Sequence, residues 1–300
     1  MNIKIYWFLS FIFTICVDLY AQGPSGGGRT GLEWIDPVKD TPYGTEYHLF
    51  SSPSRGANTQ ASYLIYLPKS YKTNSQLRYP VIYWLHGGRG SQREGGWMVD
   101  QIDKAISVGK MPEVIIVLVQ GLPTVRYIDT QDGTRPVEKV IIKDLIPHID
   151  SAYRTINDRK SRAIEGMSMG GYGALRLGFK YPELFGVVSA LAPSITEMKD
   201  EPDEVQENYG FDENYYDQNS PWTIVKEQSI KIKDSTKIRL LVGDQDKLLP
   251  LVTNYHKLLD SLQIIHQFEV IAGAQHRYDQ IISKANFDTF TFWARVFEKQ

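Results

Sequence analysis

The segment Gly166-Met167-Ser168-Met169-Gly170 restricts most strongly what this chain can fold into. It follows a short strand-like segment at 162–165 and leads into 172–179, whose apolar residues have helical spacing. The serine therefore stands at a sharp strand-to-helix turn. A residue there has a strained backbone, and side chains two positions before and after it would collide across the turn, which explains Gly166 and Gly170. Gly171 and Gly173 allow the helix to pack closely, and the helix start turns free N–H groups and a positive dipole end toward the serine. The pattern predicts an exposed nucleophile at Ser168.

The rest of the chain supplies the setting that such a turn requires. Apolar runs at 81–85, 114–119, 187–191, 238–242 and 268–271, with the segment 162–165, read as strands buried on both faces, and 62–67 as an early antiparallel strand ending before Pro68. Helical spacing is found at 138–153, 172–179, 252–262 and 283–297. This alternation predicts an α/β fold with a mostly parallel central sheet flanked by helices. At 42% hydrophobic residues, a chain of 300 has ample material for the core.

Three regions are expected: an export signal at 1–21, a flexible lead-in at 22–44, and the α/β domain at 45–300. Lys4 precedes an apolar run that Asp18 closes, and Ala21 offers a small residue before Gln22. The run is shorter than the roughly 20 residues needed to span a bilayer, so no membrane span is expected in the mature protein, which would be secreted or periplasmic. Cys16, the only cysteine, lies within the signal. A mature chain without thiols excludes disulfides, thiolate metal sites and cysteine nucleophiles. A net charge of −2 without a block of like charges gives no footprint for nucleic acid.

A serine nucleophile needs a histidine base and a carboxylate that orients it, and this kind of fold orders them serine, acid, histidine. Downstream of Ser168 lie His256, His266 and His276. His256 falls within a helix and His266 at the start of a strand, where structural roles are expected. His276 follows the last strand, in a loop that can stand above the sheet edge beside Ser168, and is the base by position. The acid is expected at the end of the preceding strand, where Asp244 and Asp246 both stand; turn chemistry favours Asp246, with Asp244 capping the turn. Two backbone N–H groups should stabilise the oxyanion. One is that of Met169; the other is assigned to Gly88 in His86-Gly87-Gly88-Arg89, with Gly87 or Arg89 as register alternatives. His86 precedes Ser168 and is expected to brace this loop.

Taken together, Leu85-His86-Gly87-Gly88, the segment 166–175, Tyr181-Pro182-Glu183-Leu184-Phe185-Gly186, Asn219-Ser220-Pro221-Trp222 and Gly243-Asp244-Gln245-Asp246 resemble the esterase family of α/β-hydrolases that includes esterase D, feruloyl and acetylxylan esterases, enterochelin esterases and mycolyltransferases. The resemblance covers residues 45–298. It implies the α/β-hydrolase fold, a triad of Ser168, Asp246 and His276, and an oxyanion pair at Gly88 and Met169. Secreted carbohydrate esterases look closest, which implies an ester-bearing carbohydrate or small aromatic ester as substrate, with feruloyl, cinnamoyl or acetyl groups removed. Acyl transfer by the same triad, or action on another small ester such as a siderophore, is the alternative. Loops 89–97, 123–135 and 196–222 should wall the substrate. Of the aromatic residues there, Trp222, at a helix start after Pro221, is the one expected to line the pocket; Tyr209, Phe211, Tyr215 and Tyr216 are more simply read as closing the core. The carboxylates of 200–217 read as solvated surface. No His/Asp spacing suggests a metal site, and no cofactor is expected.

Overall fold

Eight strands form one sheet in the order β1-β2-β4-β3-β5-β6-β7-β8. The computed structural model describes residues 33–233, 235–285 and 289–298. The strands are β1 (Glu46–Ser51), β2 (Gln60–Tyr66), β3 (Val81–Leu85), β4 (Ile115–Val119), β5 (Arg162–Met167), β6 (Val187–Leu191), β7 (Lys237–Gly243) and β8 (Gln267–Ile271). β2 runs antiparallel to β1 and β4, and all other pairings are parallel. The mostly parallel sheet expected from the sequence is therefore present.

The side-chain period of two divides the sheet into two apolar layers. Val81, Tyr83 and Leu85 of β3 face one side, in one apolar layer with Tyr172, Leu175 and Phe179 of one helix and Tyr255 and Leu259 of another. Ile82 and Trp84 face the other side, against Met98, Val99 and Ile102 and, from the chain's last helix, Trp293. Both faces are covered, and β3 and β4 are apolar throughout. The helices that matter below are α1 (Gly96–Ser107), α2 (Met169–Lys180), α3 (Pro221–Glu227), α4 (Leu249–Ser261), α5 (Tyr278–Lys284) and α6 (Thr289–Val296).

Several elements depart from the sequence reading. β1 is an edge strand in which only Phe50 is buried, so it has no apolar run to announce it. Between 137 and 152 the helix passes through a π-helical stretch, Val140–Leu145. The helix expected over 283–297 is two helices, α5 and α6. The lead-in also reaches less far than residue 44. Trp34 accepts a bond from the Ser62 N–H, Asp36 is buried and bonded to the Ser62 hydroxyl, and Val38 packs on the α1 side of the sheet. The expected export signal at 1–21 lies outside the described residues. Among the described residues, no helix is long and apolar enough to cross a membrane.

One polar group crosses the α1-side layer. Glu165, Ser189 and Arg239 are register neighbours on β5, β6 and β7. Arg239 pairs with Glu165 at 2.8 Å, and Ser189 and Tyr278 donate hydroxyls to the same carboxylate. The guanidinium lies over the Phe292 and Trp293 rings. A fully buried ion pair survives only with its remaining valences satisfied, and here those partners tie α5 and α6 to the centre of the sheet.

Candidate active site

Ser168 has φ 58° and ψ −117°, between the last residue of β5 and the first of α2. A non-glycine residue with such a backbone is held there by its surroundings. The Ser168 N–H donates to Leu191 O at the end of β6, and its carbonyl accepts from the N–H groups of Tyr172 and Ser194. The flanking glycines are required in a literal sense. A Cβ on Gly166 would strike the Gly170 backbone, and one on Gly170 would strike the carbonyls of Leu85 and His86. β3, β5 and α2 are thus locked together at the turn, and the serine side chain is left partly open to solvent.

His276 follows β8 and Asp246 follows β7. The His276 Nδ1–H donates to Asp246 Oδ2 at 2.6 Å. The Asp246 side chain is 0% exposed and that of His276 22% exposed. The other carboxylate oxygen of Asp246 accepts the Leu248 N–H at 2.9 Å, so the acid is held at both ends. The two loops are stitched by backbone bonds from Asp244 N–H to Ile271 O and from Gln245 N–H to Ala274 O. A Cβ on Gly243 would run into Ala274, so that glycine permits the close approach. Asp244 is exposed and accepts the Gly273 N–H at 2.8 Å, so rather than capping its own turn, as expected, it ties that turn to the loop after β8. With Nδ1 committed to Asp246, the free Nε2 lone pair of His276 is the one available to act on a hydroxyl.

The loop after β3 lies against the serine turn. A Cβ added to Gly87 would come within 4.0 Å of Ser168 Cβ, and one added to Gly88 would come 4.0 Å from Met169 Cβ. These are ordinary contacts, so it is not crowding by the protein that calls for glycine here. The Arg89 N–H donates to Pro123 O at 2.7 Å and is not available to an oxyanion. Neither the Gly87 nor the Gly88 N–H has an acceptor among the described residues, and Met169 carries the first N–H of α2, which has no partner in a preceding turn. His86 is wholly buried: its Nε2 accepts the Gly121 N–H and its Nδ1–H donates to Gly87 O. Burial pushes its pKa down to about 4, so it is a neutral brace under the loop.

The aromatic residues of 196–222 fall mostly into the core. Tyr209 and Tyr216 are buried, the first with its hydroxyl on that of Tyr172 and the second donating to Thr196 O. Tyr215 donates to Asp129 O, and Phe211 is exposed. Trp222 is half-buried, its indole N–H donates to Ile195 O at 2.9 Å, and its ring meets Tyr255 edge-on. It is thereby fixed one residue from Ser194, which bonds Ser168. The sequence reading missed Arg126. This buried residue has φ 56°, pairs with Glu201, donates to Ser194 O and lies 4.0 Å over the Tyr172 ring. It fastens the 196–222 segment to the loop that holds the serine; a lone arginine in a long loop gives no sequence signal of this.

Comparisons with known proteins identify the family and the fold. The family described as "Putative esterase" matches residues 54–294. An endo-1,4-beta-xylanase/feruloyl esterase of Xylanibacter ruminicola is 34% identical over 151 residues, which are 46% of this chain and 20% of that protein. An esterase of Mycobacterium tuberculosis is 31% identical over 163 residues, 53% of this chain and 34% of that protein. The chain thus spans between a fifth and about a third of the length of these relatives. Among solved structures, a ferulic acid esterase superposes with a TM-score of 0.70 at 25% identity, covering 84% of this chain and 99% of the other. The α/β-hydrolase fold that the sequence resemblance implies is the one found.

Proposed function

This chain belongs to the Putative esterase family of α/β-hydrolases, and from that premise we propose that it is a serine carboxylic ester hydrolase working through an acyl-enzyme. The observation that carries the reading is the 2.6 Å bond from His276 to a fully desolvated Asp246, on the same sheet edge as the strained Ser168.

In the proposed cycle, Ser168 Oγ attacks the ester carbonyl while His276 Nε2 takes its proton. Asp246 keeps the imidazole in the tautomer with Nδ1–H and stabilises the imidazolium. The carbonyl oxygen, now an oxyanion, is received by the N–H groups of Met169 and Gly88. Collapse breaks the C–O bond, and His276 returns its proton to the departing alcohol. Water, deprotonated by His276, then attacks the acyl-serine, and the acid leaves as Ser168 regains its proton. His86 serves by holding the Gly87–Gly88 backbone in position without carrying charge.

We assign the substrate as a feruloyl, cinnamoyl or acetyl ester of a polysaccharide or oligosaccharide. Support comes from the motif resemblance and from relatives named feruloyl esterase. Trp222, fixed by Ile195 and Tyr255, is the proposed aromatic wall. Export by residues 1–21 fits a polymeric substrate outside the cell. The test is a panel of methyl ferulate, acetylated xylan and short nitrophenyl esters, run on the wild type and Ser168→Ala. The variant should lose about 10⁴-fold or more in kcat. Turnover at the wild-type rate would refute the mechanism, and activity on the nitrophenyl esters alone would refute the substrate class.

A further inference from the structure

The geometry points to a zinc site that is separate from the candidate active site and formed by His256, Asp260 and His266. His256 and Asp260 are one turn apart on α4, and His266 immediately precedes β8. One nitrogen from each imidazole and one Asp260 oxygen lie within 4.8 Å of one another. Ligand atoms in a tetrahedral zinc shell, with Zn–N near 2.0–2.1 Å, are separated by about 3.4 Å. One of the contacts is already inside that spacing: His256 Nδ1 is 2.8 Å from His266 Nε2, while Asp260 Oδ2 lies 3.4 Å from the other ring nitrogen, Nε2, and reaches an ion held at Nδ1 by rotating its side chain.

The surroundings are those of a ligand set. The His266 Nδ1–H donates to Ile264 O at 2.8 Å, which turns the Nε2 lone pair toward His256. Metal-bound histidines almost always donate their second N–H to a carbonyl or carboxylate in this way, fixing tautomer and ring orientation. The His256 ring stacks on Phe268 with centroids 4.2 Å apart, which orients it without using either nitrogen. The Asp260 side chain is 61% exposed and that of His256 28% exposed, so the carboxylate has room to swing inward and a fourth position is open to water. Two imidazoles and one carboxylate suit Zn²⁺ better than Mg²⁺ or Ca²⁺, which take mainly oxygen ligands. As the ion enters, the proton held between the two imidazoles leaves to solvent and its place is taken by metal–nitrogen bonds.

This proposal departs from the expectation that no His/Asp spacing suggests a metal. The i, i+4 pair is visible in the sequence, but its third member comes from a different element. The site lies at the amino end of β8, opposite the edge that carries Ser168, Asp246 and His276. Its role is therefore to clamp α4, which follows the Asp246 loop, onto β8, which leads to His276. A bound ion would act on stability rather than on the chemical step.

The experiment uses the chelator-treated full chain, titrated with ZnCl₂ by calorimetry and followed by thermal unfolding. One Zn²⁺ per chain should bind at micromolar or lower Kd and raise Tm by several degrees. His266→Ala should abolish the high-affinity binding. Asp260→Asn, an exposed change that spares the fold, should weaken it about tenfold or more while leaving kcat of the metal-free enzyme unchanged. Micromolar binding that both variants retain undiminished would place the ion elsewhere and overturn the proposal. So would the absence of any binding tighter than millimolar in the wild type.

Discussion

Two histidine–aspartate pairs in this protein use the same side chains under different conditions. His276 and Asp246 meet at 2.6 Å with the carboxylate out of water and its second oxygen held by the Leu248 N–H. His256 and Asp260 meet at 3.4 Å on a helix surface, with the carboxylate mostly in water. The difference teaches that residue types do not make an orienting pair; desolvation and a second hydrogen bond do. Where water competes for the carboxylate, the contact is worth at most about 1 kcal/mol, and the ring is oriented by other partners, Phe268 and His266. Where it is excluded, the ring is confined to one tautomer with Nε2 outward.

The sharpest way to break this comparison is to remove the charge from each carboxylate. Asp246→Asn should lower kcat by about 10⁴-fold on any ester that the wild type hydrolyses, because the amide favours the wrong imidazole tautomer. Asp244→Asn, two residues away, should cost less than about tenfold, since Asp244 only ties its turn to the loop after β8. A reversal of that order in steady-state kinetics would move the acid to Asp244.

A second change tests whether the buried pair has a fixed target. Gly170→Ala places a methyl group against the Leu85 carbonyl, so the turn that presents Ser168 must open. A loss of more than about 3 kcal/mol in denaturant unfolding is expected, together with loss of activity. Retention of both would mean that the turn is less tightly locked than the contacts indicate.

The third prediction concerns the brace beneath the oxyanion loop. Folded His86 stays neutral down to about pH 4, whereas an unfolded chain protonates the same imidazole below about pH 6.5. The unfolded state therefore binds the extra proton, and stability falls as pH drops from about 6.5 to 4, by up to about 1.4 kcal/mol per unit. Tm measured across that range should show the decline, and His86→Asn should flatten it. The smallest effect is expected at the exposed pair. Without zinc, Asp260→Asn should change stability by less than about 0.5 kcal/mol, and a larger loss would show that water screens this pair less than its exposure implies.

What was legible in the sequence follows the range of the interactions concerned. The serine turn was readable because its requirements are local: Gly166 and Gly170 are excluded from being anything else by atoms within four residues or on the adjoining strand. The loop position of His276 was readable from its place after a strand. The strand β1 was not, because an edge strand with only Phe50 buried leaves no periodic mark. Nor was Arg126, whose partners Glu201, Ser194 and Tyr172 lie 46 or more positions further along the chain.

By itself, the sequence determined the elbow at Ser168, the parallel strands around it and the esterase family to which they belong, since these rest on backbone sterics and on apolar runs that must be buried on two faces. Only the tertiary structure decided which aspartate reaches His276, that Arg89 spends its N–H on Pro123 while Gly87 and Gly88 do not, and that His256, Asp260 and His266 converge. Each of those depends on how the loops after separate strands are stitched together, and the bonds that do it join residues far apart in the chain. Asp244 and Asp246 are two residues apart in sequence, yet one ties two loops together in water and the other is sealed beneath a histidine.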